Sequence, residues 1–253
     1  MTSLTSIQRA FAPTGKLRVA LNHGNRVLVG RDADGRAQGI SVDLATHLAK
    51  ELEINFRFVE FERAVDVSSS VDDDVWDVAF LAVDPKRAET IAFTSPYIRI
   101  EGNYLVSDTY EPEDSSALIA EKVGIGSVKG TAYALALARL PVSAQLQLFE
   151  DMAAAIRAFD AGQIGAVAGI RKAMDEFAAD RPHARVIEPP FMEIRQAMAM
   201  RNERDDAHSY LCDFLGRLAE NGTIGDILER HGVDRSCAIH PNETHRQQML
   251  VLK

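Results

Sequence analysis

The order of apolar and polar residues along the first hundred positions predicts alternating strands and helices. Strands are predicted at 17–22 ("LRVALN"), 55–61 ("NFRFVEF") and 77–83 ("DVAFLAV"), where β-branched and aromatic residues are frequent. Between the first two strands, residues 41–54 carry apolar side chains at helical spacing, with Ser41 as the predicted N-cap. A strand–helix–strand order favours parallel pairing, and therefore an α/β domain.

The second part of the chain shows the same order of elements. Strands and helices are predicted at 121–140, 145–150, 151–164 and 165–170, and further helices at 171–182, 204–219 and 223–231. Two strands, at 100–108 and within 184–201, would cross between the halves. We therefore predict two lobes, each a βαβ-based mixed sheet flanked by helices. The first lobe spans 1–101, the second spans 102–193, and 194–253 return to the first.

Composition narrows the class of protein. Of 253 residues, 46% are hydrophobic and 26% are charged, as in a packed globular protein. The net charge is −9, from 28 basic and 37 acidic residues, which argues against nucleic acid as a partner. No stretch approaches the roughly 20 apolar residues of a membrane span, so no membrane insertion is expected. The spacing of Cys212 and Cys237 matches no metal or redox motif, and we expect unpaired thiols.

The beginning of the chain leaves the compartment open. A secretory signal needs a continuous apolar stretch of roughly 7–15 residues, and polar residues and Pro13 interrupt this segment. Either the protein is cytoplasmic, or a signal was removed and the protein is periplasmic.

Six segments in order give the chain a family likeness. They are "GKLRVAL", "DADGRAQGISVDLATHLAKEL", "WDVAFLAVDPKRAETIAFTSPY", "KVGIGSVKGTAY", "AAIRAFDAGQIGAVAG" and "LAENGTIGDILERHGV". With these segments, from about residue 15 to 233, the chain resembles the type II periplasmic substrate-binding proteins of polar amino-acid ABC transporters. The resemblance implies the two-lobed α/β fold of that class, hinge closure on a small ligand, and an ABC permease as partner. It implies no cofactor and a monomer.

The resemblance assigns a carboxylate-binding role to Arg87. The planar guanidinium of an arginine matches the two oxygens of a carboxylate. The alternative is a surface arginine that forms an ion pair with Glu89 or Asp84.

A second ligand-binding segment is implied by "KGTAY". A Gly-Thr turn at the start of a helix exposes backbone N–H groups, and the helix dipole favours an anion there. The resemblance places Gly130, Thr131 and Ala132 across from Arg87. The alternative is that Thr131 serves only as an N-cap.

The loop "LNHGN" follows the first predicted strand. Ligands of α/β folds lie at the carboxyl ends of parallel strands, so Asn22 or Asn25 is a candidate ligand contact. His23 would either add polarity to the site or only stabilise its own loop.

Several positions depart from the family pattern. An aspartate that holds the ligand ammonium in amino-acid binders corresponds to Ile170 here, and another family aspartate corresponds to Gly165. Ala82, a candidate site residue, and Asp84 replace hydroxyl-bearing residues that precede the arginine in the family.

These departures leave two interpretations of the ligand. Either it lacks an α-amino group, or Glu193 or Glu101 compensates the ammonium, since leaving such a charge unpaired costs several kcal/mol. Glu193 could instead form an ion pair with Arg195 at the hinge, because residues two apart on a strand share a face.

Three functions follow from these residues. The first is a solute-binding protein for a small carboxylate, an amino acid or a related organic acid. The second is an enzyme similar to cyclohexadienyl dehydratases of this fold, with Glu193 or Glu101 as general acid. The third is a cytoplasmic sensor or scavenger. HExxH, GxSxG and Walker patterns are absent from the sequence, so metal-dependent hydrolysis, serine acyl transfer and nucleotide binding have no support. No metal site is predicted.

Overall fold

The structure is a computed structural model that describes residues 4–110, 112–240 and 243. The chain forms two compact units, each with strands and helices of its own. The described residues up to Arg99 and from Arg195 onward make unit 1, and Ile100–Ile194 make unit 2.

Most of the predicted strands and helices are present. In chain order the strands are β1 (Leu17–Asn22), β2 (Gly30–Arg31), β3 (Ala37–Gln38), β4 (Phe56–Phe61), β5 (Val78–Ala82), β6 (Ile91–Phe93), β7 (Ile98–Ser107), β8 (Ile125–Val128), β9 (Leu146–Phe149), β10 (Ala166–Ile170), β11 (Ala184–Val186) and β12 (Met192–Arg201). The α-helices are α1 (Leu4–Phe11), α2 (Ile40–Glu51), α3 (Ala64–Ser69), α4 (Ser115–Ala120), α5 (Ala132–Leu137), α6 (Met152–Asp160), α7 (Arg171–Ala179), α8 (Asp205–Glu220) and α9 (Thr223–Arg230).

The sheet of unit 1 brings the ends of its parallel strands to one edge. Strand β1 pairs in parallel with β4 on one side and β5 on the other, and β12 pairs antiparallel with β5 and β6. The carboxyl ends of β1, β4 and β5 therefore lie at the same edge, which we call the carboxyl edge of unit 1.

Unit 2 has the corresponding arrangement. Strand β8 pairs in parallel with β9 and β10, while β7 pairs antiparallel with β10 and β11. Its core forms between the sheet and helices α6 and α7, where Leu105, Phe159, Val167 and Met174 are almost completely buried. The loops after β8 and β10 leave the sheet at the carboxyl edge of unit 2.

The predicted start of one helix was wrong, and another helix was missed. Helix α2 begins at Ile40 with Gly39 as its N-cap, so Ser41 is not the cap. Gly39 has φ 126°, and a Cβ at this position would lie 2.5 Å from the carbonyl oxygen of Leu28. Helix α1 was not predicted, although Ile7 and Phe11 are buried and the Phe11 ring lies edge-on to Tyr210, 5.8 Å between centroids.

At the opposite, amino edge of unit 1, a buried ion-pair network joins distant parts of the chain. Asp77 is fully buried and accepts hydrogen bonds from Arg18 and from Arg204, which immediately precedes α8. The network therefore connects the returning part of the chain to the beginning of β1 and β5. Cys212 and Cys237, also in unit 1, are not joined by a disulfide.

Candidate functional site

Arg87 lies at the carboxyl edge of unit 1, in a single 3₁₀ turn that follows β5. Its side chain is turned inward: the residue is 5% exposed, and Nη1 donates a hydrogen bond to the carbonyl oxygen of Ala82 at 3.0 Å. Burial lowers the pKa of the Arg87 guanidinium to about 10, and the nearby negative charge of Asp84 opposes that shift. The guanidinium is therefore cationic at neutral pH. Arg87 is not a surface residue, but Asp84, one of the two predicted ion-pair partners, lies close enough to act on its charge.

The turn that carries Arg87 is fixed by Asp84. Asp84 is 2% exposed, and its Oδ1 accepts a hydrogen bond from the backbone N–H of Lys86 at 2.9 Å. Its carbonyl oxygen accepts the N–H of Ala88 at 3.0 Å. A desolvated cation thus lies next to a buried carboxylate, in an environment where charge–charge interactions are stronger than in water.

The loop after β1 brings two amides and a histidine to the same edge. Asn22 Oδ1 accepts the N–H of Gly24 at 3.1 Å, and Asn25, which is 4% exposed, accepts the N–H of Val27 through Oδ1 at 3.2 Å. His23 Nε2 lies 2.8 Å from Glu60 Oε2 on β4. The carbonyl groups of the two asparagine side chains therefore stabilise the loop, and the contact of His23 with Glu60 connects the loop to β4.

Gln196 also lies at this edge, and no role was predicted for it. It lies directly opposite Ala82 in the pairing of β12 with β5, and it is 5% exposed. Register is set by contacts between distant parts of the chain, so no local pattern marks this position.

The predicted turn of unit 2 occurs at the end of β8. Gly130 has φ 74°, and Thr131 caps α5: its Oγ1 accepts the N–H of Ala134 at 3.3 Å and donates to the carbonyl oxygen of Val128 at 2.8 Å. Ala132 is the first residue of that helix. The hydroxyl of Thr131 is thus engaged in capping, and its backbone N–H donates to the carbonyl oxygen of Val128 at 3.3 Å.

At the end of β10, Ile170 is the N-cap residue of α7 and makes no side-chain capping bond. The next residue, Arg171, lies within 3.5 Å of Glu101 and 3.1 Å of Asp175, and it also contacts Glu188. Glu101 is therefore already paired with a cation of its own unit.

Gly165, before β10, has a steric reason to lack a side chain. A Cβ there would lie 2.3 Å from the ring of Tyr110 and 2.5 Å from a methyl group of Val123. An aspartate could not occupy this position unless Tyr110 moved. Glu193, the other candidate acid, is a partly buried residue of β12 within unit 2.

The described residues contain no group of three His, Cys, Asp or Glu side chains placed to hold a metal ion. None of their helices has both the length and the apolar character needed to cross a bilayer.

Residues 17–234 match the model of the bacterial extracellular solute-binding proteins, family 3. The chain belongs to this family. No curated protein sequence matches it.

Solved structures with the same fold are similar over most of the chain. A mutant of ArgBP from T. maritima is 20% identical, with a TM-score of 0.73, and the match covers 89% of this chain and 99% of that one. An amino acid ABC transporter substrate-binding protein from Streptococcus pneumoniae, bound to L-arginine, is 23% identical, with a TM-score of 0.71 and coverage of 92% and 99%.

A third similar structure is that of an ancestral protein related to an enzyme. It is the ancestral amino acid-binding protein AncCDT-1, a precursor of cyclohexadienyl dehydratase, which is 21% identical, with a TM-score of 0.71 and coverage of 91% and 99%. Together with the family match, these structures confirm the predicted type II periplasmic-binding-protein fold and the resemblance on which it was based. The protein is a solute-binding protein.

Proposed function

We propose that this solute-binding protein binds a small molecule that bears a carboxylate, an amino acid or a related organic acid, and that Arg87 binds the carboxylate. The observation that carries the proposal is the burial of Arg87 at the carboxyl edge of unit 1. Hydrogen bonds between a guanidinium and a carboxylate are about twice as strong as neutral ones, and a desolvated site strengthens them further.

The similar structures support this ligand class without defining the ligand. The protein from Streptococcus pneumoniae holds L-arginine, and an ancestral arginine-binding protein, 18% identical, holds glutamine. Both ligands bear a carboxylate. We infer that the ligand of this chain does too, and that an ABC-type permease is its partner.

The remaining predicted residues are secondary contacts in this proposal. In the turn of Gly130, Thr131 and Ala132, the backbone N–H of Ala132 would donate to the ligand, since that of Thr131 is bonded to Val128. Asn22 and Asn25 would contribute amide nitrogens, since their oxygens hold the loop. Glu193, a partly buried residue of β12, is the candidate partner for an ammonium group.

We further propose that the protein binds its ligand without transforming it. The dehydratase alternative requires a protonated acid, and Glu101, one of its two candidates, has a 54% exposed side chain that faces Arg171 at 3.5 Å. The alternative needs this acid in a buried position, and Glu101 is exposed and already paired. Disappearance of prephenate in the presence of the purified protein would contradict this part of the proposal.

A thermal-shift screen tests the ligand class. The acids are arranged in sets of four that share a carbon skeleton: the 2-amino, 2-hydroxy and 2-oxo acids and the acid with no 2-substituent. At 100 times its dissociation constant, a ligand adds about 2.7 kcal/mol to the free energy of unfolding, which is easily detected as a higher unfolding temperature.

The screen is run on three proteins. We expect acids of at least one set to stabilise the wild type and Arg57→Ala, a matched control that removes an exposed arginine from β4. The same acids should leave Arg87→Ala unchanged. Equal stabilisation of Arg87→Ala would overturn the assignment of Arg87, and a wild type that no acid stabilises would overturn the ligand class.

A further inference from the structure

The side chain of Gln196 is buried but its amide is not used by the protein. The residue is 5% exposed, and its amide makes no hydrogen bond to any described residue. Neither amide atom is among the polar atoms that are both sealed from solvent and unbonded. An amide that is not bonded to the protein and not sealed from solvent reaches solvent at the carboxyl edge of unit 1, where a group from outside the protein can meet it.

The pairing of β5 with β12 locates the side chain next to the candidate carboxylate site. The N–H of Val83 donates to the carbonyl oxygen of Arg195 at 2.9 Å, so the adjacent pair, Ala82 and Gln196, does not exchange backbone hydrogen bonds. In such pairs the Cα atoms are about 4.5 Å apart and the two side chains are neighbours on one face. Because Ala82 ends in a methyl group, it offers the Gln196 amide no polar partner.

The backbone carbonyl groups of Ala82 and Gln196 accept hydrogen bonds from outside this pair, and these bonds hold both residues in place. The carbonyl oxygen of Gln196 accepts the N–H of Tyr97 at 2.9 Å, and that of Ala82 accepts Nη1 of Arg87 at 3.0 Å. Arg87 and Gln196 are therefore both anchored at Ala82, one through its carbonyl and one across the strand pair.

From this geometry we infer that Gln196 determines specificity by hydrogen-bonding the 2-substituent of the carboxylate ligand. The amide carries a donor and an acceptor, so it serves a 2-oxo, 2-hydroxy or 2-amino group but gains nothing from a hydrogen atom. The ligand class is thus a 2-substituted carboxylate. The inference rests on the proposed function, since it assumes that Arg87 binds the carboxylate.

The test compares affinities within the sets of four acids, measured by titration calorimetry on the full chain. Gln196→Met keeps the length of the side chain and removes both polar atoms. We expect the wild type to bind substituted acids at least about tenfold more tightly than the unsubstituted acid, and Gln196→Met to lose most of this ratio. Gln147→Met, an exposed position on β9, should behave as the wild type.

Gln196→Glu provides a second variant, in case Gln196→Met does not fold. The glutamate accepts hydrogen bonds but adds a negative charge, so affinity should shift from the 2-oxo to the 2-amino acid. Suppose that the variants that fold keep the wild-type ratio of affinities for substituted and unsubstituted acids, and that Arg87→Ala still abolishes binding. This result would overturn the role of Gln196 alone. Loss of the Arg87 effect would overturn the proposed function itself.

Discussion

Replacement of Asp77 by asparagine perturbs the ion-pair network at the amino edge of unit 1 with almost no change in shape. Asp77 accepts hydrogen bonds from the N, Nε and Nη2 atoms of Arg18 and from Nη1 of Arg204, all at 2.9 Å. In Asp77→Asn, the negative charge is lost and one acceptor becomes a donor that faces a guanidinium. Two cations are then left without their common counter-ion.

The loss of unfolding free energy in Asp77→Asn can be bounded from the exposure of the two arginines that Asp77 binds. Breaking a buried ion pair by removing one partner costs about 3–5 kcal/mol. The lower end applies here, because Arg18 keeps a contact with Asp74 at 2.8 Å and Arg204 is not fully desolvated, with 18% of its side chain exposed. We therefore expect Asp77→Asn to lower the free energy of unfolding by about 3 kcal/mol.

Urea unfolding followed by tryptophan fluorescence measures this loss. Trp76, the only tryptophan of the chain, is 3% exposed and adjacent to the substitution. The midpoint should fall while the slope stays unchanged. Asp74→Asn is the control: 56% of the Asp74 side chain is exposed, so its loss should cost under about 1 kcal/mol. Equal effects of the two substitutions would refute the argument.

Two further predictions concern the ligand. Because a carboxylate binds the protonated guanidinium, affinity in a calorimetric pH series should be constant near neutrality and fall as pH rises through about 10, the pKa of Arg87; a constant affinity above that pH would contradict the assignment. Because Ile170 offers no charge and Glu101 faces Arg171, the 2-amino acid should bind more weakly than the 2-oxo or 2-hydroxy acid of its set. Tightest binding by the 2-amino acids would instead favour Glu193 as the ammonium partner.

The elements predicted correctly are those whose apolar pattern is local. Strand β1 was predicted at 17–22 and is observed at Leu17–Asn22, because Val19, Ala20 and Leu21 are adjacent apolar residues that are almost completely buried. Strand β6 was missed, since its three residues, Ile91–Phe93, are a strand only through pairing with β12. The beginning of α2 was misplaced because Gly39 approaches the backbone of Leu28 too closely for any side chain. This contact between separate segments leaves no trace in the apolar pattern of the helix.

The candidate site could be predicted only in part for the same reason. The family segments indicated Arg87, but its burial and its bond to Ala82 depend on how the turn folds back on β5. Gln196 could not be found, because its place opposite Ala82 is set by strand register. His23 had two interpretations from the sequence, and the contact with Glu60 favours the structural one.

A titration of the best acid from the screen into the wild type, Arg87→Ala and Arg57→Ala tests the binding role of Arg87 most directly. Truncating one partner of a desolvated, hydrogen-bonded charge pair costs about 2–5 kcal/mol, and each 1.4 kcal/mol is about tenfold in affinity. Arg87→Ala should therefore bind at least about 30-fold more weakly, while Arg57→Ala binds as the wild type does. An Arg87→Ala protein that keeps its affinity within about twofold would contradict the account.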